Sequence, residues 1–178
     1  RVVSIFIHLY FIHPTVFYVE RELDDVGVEV ALQYVDDMNP HIVLFANNIY
    51  NPEGGTHLAG FRGAITSAIN GYATSNEMLK GLKETSLGGD DVREGLTAVI
   101  SVKVPEPQFE GQTKIKLNNP EVKGIVQKVL RDALTTYFNE NPNEAKSIIG
   151  KAVLAYKARA AAKAARDAVI RKGALENT

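Results

Sequence analysis

Residues 109–117 read FEGQTKIKL. Gly111, Gln112, Thr113 and Lys114 put a permissive backbone, an amide, a hydroxyl and an ammonium on consecutive positions of an expected turn. A lysine held there presents a compact positive charge to a terminal phosphate, and a neighbouring glutamine donates hydrogen bonds to phosphate oxygens. From these four residues alone an ordinary solvated turn is the commoner reading. A second charged feature lies near the end of the chain. Across residues 151–172, seven bases (Lys151, Lys157, Arg159, Lys163, Arg166, Arg171 and Lys172) stand against one acid, Asp167, a local charge of +6 in a chain of net charge −1. The rest of the chain is therefore acidic. A basic segment on an acidic body suits contact with a polyanion, because phosphates are met mostly by Lys and Arg, and a solvated helix face is the alternative.

Other chemistries find little support. With no cysteine in 178 residues, disulfides, thiolate zinc sites and cysteine nucleophiles are excluded, and the composition suits a reducing cytosol. His8, His13, His41 and His57 lack HxxxH or HxH spacing, so no metal site is expected. Neither a GxSxG elbow nor a Walker A sequence is present. In GGDDVREG, residues 88–95, two acids beside a base resemble a catalytic pair, but a local account is simpler: Asp90 or Asp91 caps a helical turn, while Arg93 and Glu94 form nearby ion pairs. The apolar start, RVVSIFIHLYFIHP, is too short to span a bilayer, which needs about 20 residues. It also lacks the basic region and small-residue cleavage site of a signal peptide, so it reads as a core element. Without an initiator methionine, the chain reads as a piece of something larger.

The elements that must position these residues follow from periodicity. TVFYVER, residues 15–21, and VGVEVALQYV, residues 26–35, read as a hairpin around a turn at Asp24, Asp25 and Gly27, with Val28, Val30, Leu32 and Tyr34 on the buried face. HIVLFAN, residues 41–47, is a third strand. After NPEGG, residues 51–55, the residues Leu58, Phe61, Ile65, Ile69 and Tyr72 recur at helical spacing behind a Thr56 cap. Gly60, Gly63 and Gly71 each weaken that helix by about 1 kcal/mol, which calls for close packing on another element. LTAVISVKV, residues 96–104, is apolar enough for burial on both faces.

Asn119 and Pro120 open a helix with the stripe Val122, Ile125, Val126, Val129, Ala133, Leu134 and Tyr137. Asn141, Pro142 and Glu144 open another with a capping box. Ile148, Ile149, Val153 and Tyr156 pack its first half; its alanine-and-base second half buries little and ends at a Gly173 cap. The order strand, strand, strand, helix, strand, helix, helix indicates an α+β domain whose helices cover a mixed sheet, with a long C-terminal helix.

GGTHLAGFRGAI, GDDVREGLTAVISVKV, FEGQTK and ARAAAKAARDAVIRKGALE together resemble the B subunit of bacterial DNA gyrase, in order and spacing, from about His13 to Glu176. The ATPase subunit of topoisomerase IV, a close relative, shares most of these motifs. They look like the transducer, the second part of the family's ATPase region. That implies a ribosomal protein S5 domain 2 type of fold, with residues 13–141 as the transducer, 142–178 as a long basic helix leading to the next domain, and 1–12 unassigned. The family has a glycine-containing, polar-interrupted stretch where this chain has RVVSIFIHLYFI.

By the same resemblance, Gln112 and Lys114 reach into a preceding ATP-binding domain and contact the ATP γ-phosphate, Lys114 having the catalytic role. That preceding domain supplies the catalytic glutamate, the Mg2+-binding asparagine and the lid, so a chain without it is expected to be inactive by itself. The cleavage tyrosine belongs to the gyrase A subunit, the partner in an A2B2 assembly. Arg159, Lys163 and Arg166, on one helical face, are expected to border the passage for double-stranded DNA. The resemblance implies a cytoplasmic ATP-driven topoisomerase, with a stand-alone nucleic-acid-binding module as the rival reading.

Overall fold

The computed structural model describes residues 15–176. The apolar start expected to be a core element lies outside them. β1 (Phe17–Leu23) and β2 (Val26–Tyr34) form the expected hairpin. Leu23 faces Val26 across a two-residue turn in which Asp24 and Asp25 both take positive φ, 51° and 60°. This is the turn whose twist matches a hairpin, and aspartate tolerates the left-handed region better than most residues. Gly27, expected in the turn, instead pairs with Glu22 inside the strands.

β3 (His41–Ala46) is followed by a similar turn at Asn47 and Asn48 and by β4 (Ile49–Tyr50). That short strand is not evident in the sequence, where Asn47 reads as the end of a strand and not as the start of a turn. After α1 (Thr56–Ser75) and the single turn α2 (Gly89–Arg93), β5 (Leu96–Lys103) enters the middle of a mixed sheet of order β1-β2-β5-β3-β4. It lies antiparallel to β2 and parallel to β3. Leu96, Ala98, Val99, Ile100, Ser101 and Val102 are buried, so the apolar run is enclosed on both faces as expected. Ala31 and Gln33 of β2 are buried too, which is why that strand's alternation fades towards its end.

α3 (Pro120–Glu140) and α4 (Pro142–Glu176) complete the α+β fold. α1 turns Phe61, Ala64, Ile65, Ala68 and Ile69 into the core, and α3 contributes Val122, Val126, Leu130, Leu134 and Phe138. Tyr137, expected in that stripe, is half-buried with its ring edge-on to Phe17. A Cβ on Gly60 would sit 2.4 Å from the Lys123 carbonyl oxygen, so α1 and α3 approach there at backbone distance. Gly71 has no neighbour within 4 Å, and packing does not explain it.

Ala145, Ile148, Ile149, Ala152 and Tyr156 bury the first half of α4, whereas from Lys157 onward its side chains are mostly exposed. The helix runs through Gly173, which keeps a negative φ and does not serve as the expected cap. Glu144 accepts hydrogen bonds from the hydroxyls of Thr15 and Tyr137, fixing the corner between α3 and α4 to the start of β1. The backbone N–H of Asn141, where a capping box would place that glutamate, donates to the Tyr137 carbonyl.

Candidate functional site

Residues 108–118 fold back on themselves as a narrow hairpin. Asn118 N–H donates to the Gln108 carbonyl (2.8 Å), Glu110 N–H donates to the Lys116 carbonyl (2.9 Å), and Phe109 bridges Leu117 between these rungs. Residues 111–114 form the tip. Gly111 supplies the left-handed conformation that the reversal needs (φ 72°), and Lys114, which has no such freedom, closes it at φ 55°.

Three braces fix the base of this hairpin. Asn119, expected to cap α3 with its side chain, instead accepts from Gln108 N–H (2.7 Å) and donates to the Glu106 carbonyl (3.0 Å). Leu117, fully buried, exchanges backbone bonds with the NPEGG segment: its N–H donates to the Gly54 carbonyl and its carbonyl accepts from Thr56, both at 3.0 Å. Gly55 thus takes the N-cap position expected for Thr56. Finally, Asn51 Nδ2 donates to the Lys114 carbonyl (2.7 Å), and Glu53 N–H donates to the Ile115 carbonyl (3.1 Å).

On this rigid stem Gln112, Thr113 and Lys114 are exposed. Two lysines, two residues apart, have different surroundings. Lys116 is ion-paired with Glu110 at 2.7 Å, and that hydrogen bond raises its pKa. Lys114 pairs with no carboxylate among the described residues; its ammonium rests 5.9 Å from the centre of the Phe109 ring. Its charge is therefore open to an incoming anion. The donor set at the tip, an ammonium and an amide, fits phosphate oxygens and offers nothing to a divalent cation.

Below the tip lies His57, fully buried in the first turn of α1. Its Nε2 is 3.2 Å from Asn51 Oδ1. Because Asn51 Nδ2 already donates to a carbonyl, Oδ1 is the acceptor and Nε2 carries the proton. Nδ1 is buried without a partner, and burial pushes the His57 pKa down from 6.5 to about 4. The neutral ring is thus the native form, while the unfolded chain binds a proton as pH falls through 6.5. The stability this ring contributes is complete above that pH and is lost on acidification towards 4. At about 1.36 kcal/mol per unit, the wild type should lose about 2 kcal/mol more than His57→Gln between pH 7.5 and 5, measured by denaturant unfolding. Parallel pH profiles for the two proteins would refute a buried neutral ring.

The basic residues lie on α4. Lys163 and Arg166 are exposed. Arg159 is otherwise engaged: its Nε and NH2 donate to the two carboxylate oxygens of Asp91, each at 2.9 Å, and its plane lies 5.3 Å from the Tyr156 ring. Asp91 is buried and also accepts from Gly88 N–H (3.0 Å) at the start of α2, while Asp90 pairs with Arg93. The GGDDVREG acids therefore serve local structure, together with a pairing across 68 residues that no spacing rule anticipates. Gln112 and Lys114 meet at the hairpin tip; Arg159, Lys163 and Arg166 do not join them there, being carried by α4.

Comparison with known proteins agrees with this architecture. The family model described as DNA gyrase B matches residues 7–168. The B subunit of DNA gyrase from Haloferax lucentense is 54% identical over 167 residues, covering 94% of this chain and 26% of that protein. The chain thus spans about a quarter of the length of such relatives. Among solved structures, the 43K ATPase domain of Thermus thermophilus gyrase B, in complex with an aminocoumarin, superposes with a TM-score of 0.82 at 38% identity, over 93% of this chain and 44% of that one. The topoisomerase IV ATP-binding domain of Francisella tularensis follows with a TM-score of 0.73 at 31% identity, over 81% of this chain and 39% of that one. A match across most of the chain, on a fold shared with the ATPase region of gyrase B, means that this chain belongs to the DNA gyrase B family.

Proposed function

We propose that this chain is the transducer domain of the B component of a DNA gyrase, and that the hairpin tip senses the γ-phosphate of ATP bound in a neighbouring domain. One observation carries this reading: an unpaired lysine and a glutamine stand exposed on a hairpin braced on three sides. A solvated turn needs no such bracing. ATP, when bound, supplies the terminal phosphate, and the neighbouring domain is expected to hold the nucleotide's remainder with its Mg2+. Lys114 and Gln112 gain a partner in the triphosphate state and lose it after hydrolysis. Two orientations of a domain shift only by their differential affinity for a ligand, and this contact supplies such a difference.

The stem transmits the change because it is bonded to α1, to α3 and to the segment after β4, so the tip and the sheet move as one body. In the complete enzyme, with its gyrase A partner in an A2B2 assembly, that movement couples ATP use to passage of a duplex and to negative supercoiling. The higher identity to gyrase B than to topoisomerase IV favours supercoiling over the relative's activity. The sensor half of the proposal is tested by alanine at Lys114, with ATP turnover of the complete subunit as the readout.

The coupling half concerns α4. Lys163 and Arg166, with the open edge of Arg159, are assigned to the border of the DNA passage. Reversing Lys163 and Arg166 to glutamate should lower DNA-stimulated ATP hydrolysis and supercoiling several-fold while basal hydrolysis and melting temperature hold. Residual DNA affinity should fall less steeply with salt, since the slope decreases by about 0.9 for each phosphate no longer neutralised. Arg159 is left intact in that variant because it holds Asp91. Unchanged DNA-dependent activity would make this face of α4 a solvated surface.

A further inference from the structure

Asn51 uses all four of its polar groups. Its N–H donates to the carbonyl of Leu44 in β3 (2.9 Å), its carbonyl accepts from Gly54 (3.0 Å), Nδ2 donates to the Lys114 carbonyl (2.7 Å), and Oδ1 accepts from His57 (3.2 Å). Both Asn51 and His57 are fully buried. One asparagine therefore links the central sheet to the backbone of the residue that presents the sensing charge. Lys114 needs such a link. A lysine in the left-handed region is strained, and the conformation persists only where its surroundings over-determine it. The carbonyl held by Asn51 fixes the peptide that follows Lys114, and with it the direction in which the side chain leaves the tip. His57 in turn fixes the amide: an amide free to turn over would bring its oxygen against the Lys114 carbonyl, and the Nε2–H of His57 permits only the other orientation.

We propose that Asn51 and His57 are positioning residues for Lys114, setting the preference of the complete subunit for nucleoside triphosphate over diphosphate without touching the nucleotide. This inference rests on the sensor reading of Lys114. It extends the functional site to two residues at the foot of the hairpin, one before α1 and one in its first turn. It also gives the NPEGGTH stretch a role beyond that of a connector.

The test measures, in the complete subunit, affinity for a β,γ-imido ATP analogue and for ADP, in the wild type, Asn51→Leu, Lys114→Ala and the double variant. Asn51→Leu should lower the triphosphate-to-diphosphate preference about tenfold, a coupling of about 1.4 kcal/mol, with ADP affinity unchanged. In the Lys114→Ala background the same substitution should have no further effect, because its influence runs through a side chain already removed. A preference that Lys114→Ala lowers and Asn51→Leu leaves intact overturns the positioning role while sparing the sensor. Additive losses in the double variant overturn it too, since they would mark a general structural effect. No change in Lys114→Ala brings down the sensor reading and this inference with it. Should Asn51→Leu fail to fold, the comparison moves to His57. His57→Gln, which keeps a donor towards Asn51, should retain the preference that His57→Leu loses; equal values in these two variants overturn the proposal.

Discussion

Replacing Lys114 with alanine in the complete subunit lowers ATP turnover by about 10²–10³, the usual loss when one preorganised charge contact to a developing oxyanion is removed. The melting temperature of the variant stays within about 1 °C of the wild type, because the side chain is exposed and touches only the edge of the core at Phe109. The combination is diagnostic. A lysine that merely solvated a turn would leave both quantities unchanged, and one that packed the hairpin would change both. Lys116→Ala provides the contrast within the same hairpin: it removes the Glu110 ion pair, which is solvent-screened, and leaves turnover near the wild-type value. Steady-state ATPase assays and thermal denaturation on these two variants separate the sensing lysine from the structural one.

Substituting Gly55 with alanine should cause the largest loss of stability. Gly55 stands at φ 131° and ψ −153°, a region open to glycine alone. An added Cβ would lie 2.1 Å from the Leu117 carbonyl oxygen and 2.6 Å from its nitrogen. Neither neighbour can yield, since both are backbone atoms of a fully buried residue bonded to Gly54 and Thr56. Backbone strain of about 1–3 kcal/mol adds to the clash, so the total should reach about 3 kcal/mol or more. For a domain of this size that is a melting temperature lower by about 6–12 °C. Gly71→Ala is the control, since its Cβ meets nothing within 4 Å and alanine favours the helix by up to about 1 kcal/mol. Equal melting temperatures for the two variants would mean that the Gly55–Leu117 contact does not anchor the hairpin.

Much of the fold is legible from local pattern. The hairpin of β1 and β2, the buried run of β5 and the stripes of α1 and α3 follow from periodicities that tertiary packing reinforces. Cap assignments read less well. Thr56 and Asn119 have the side chains of N-caps, yet the Thr56 backbone and the Asn119 amide are both directed to the sensor hairpin. Spacing rules assume that a capping side chain turns to its own helix, and here the stronger demand comes from residues 106–117. Gly173 fails as a stop signal for a related reason: with no described segment packed against that turn to draw the backbone into the left-handed region, the helix simply continues.

Of the candidate site, the GQTK residues stand out by composition, but their bracing does not. Asn51 and His57 look like part of a connector until the fold brings the Lys114 carbonyl to them across 63 residues. Arg159 reads as one more base in a basic helix because its partner, Asp91, lies on another element 68 residues earlier. Pairings of this kind leave no trace in sequence spacing, since neither partner's neighbours along the chain differ from those of an ordinary loop or helix face.

Whether the hairpin tip meets the γ-phosphate can be asked directly with an ATP analogue carrying an amine-reactive acyl group on that phosphate. After incubation with the complete subunit, peptide mass mapping locates the acylated lysine. Labelling at Lys114, suppressed by excess ATP and spared by excess ADP, is the result expected of a γ-phosphate sensor. ATP-protected labelling confined to other lysines, with Lys114 unmodified, would contradict it.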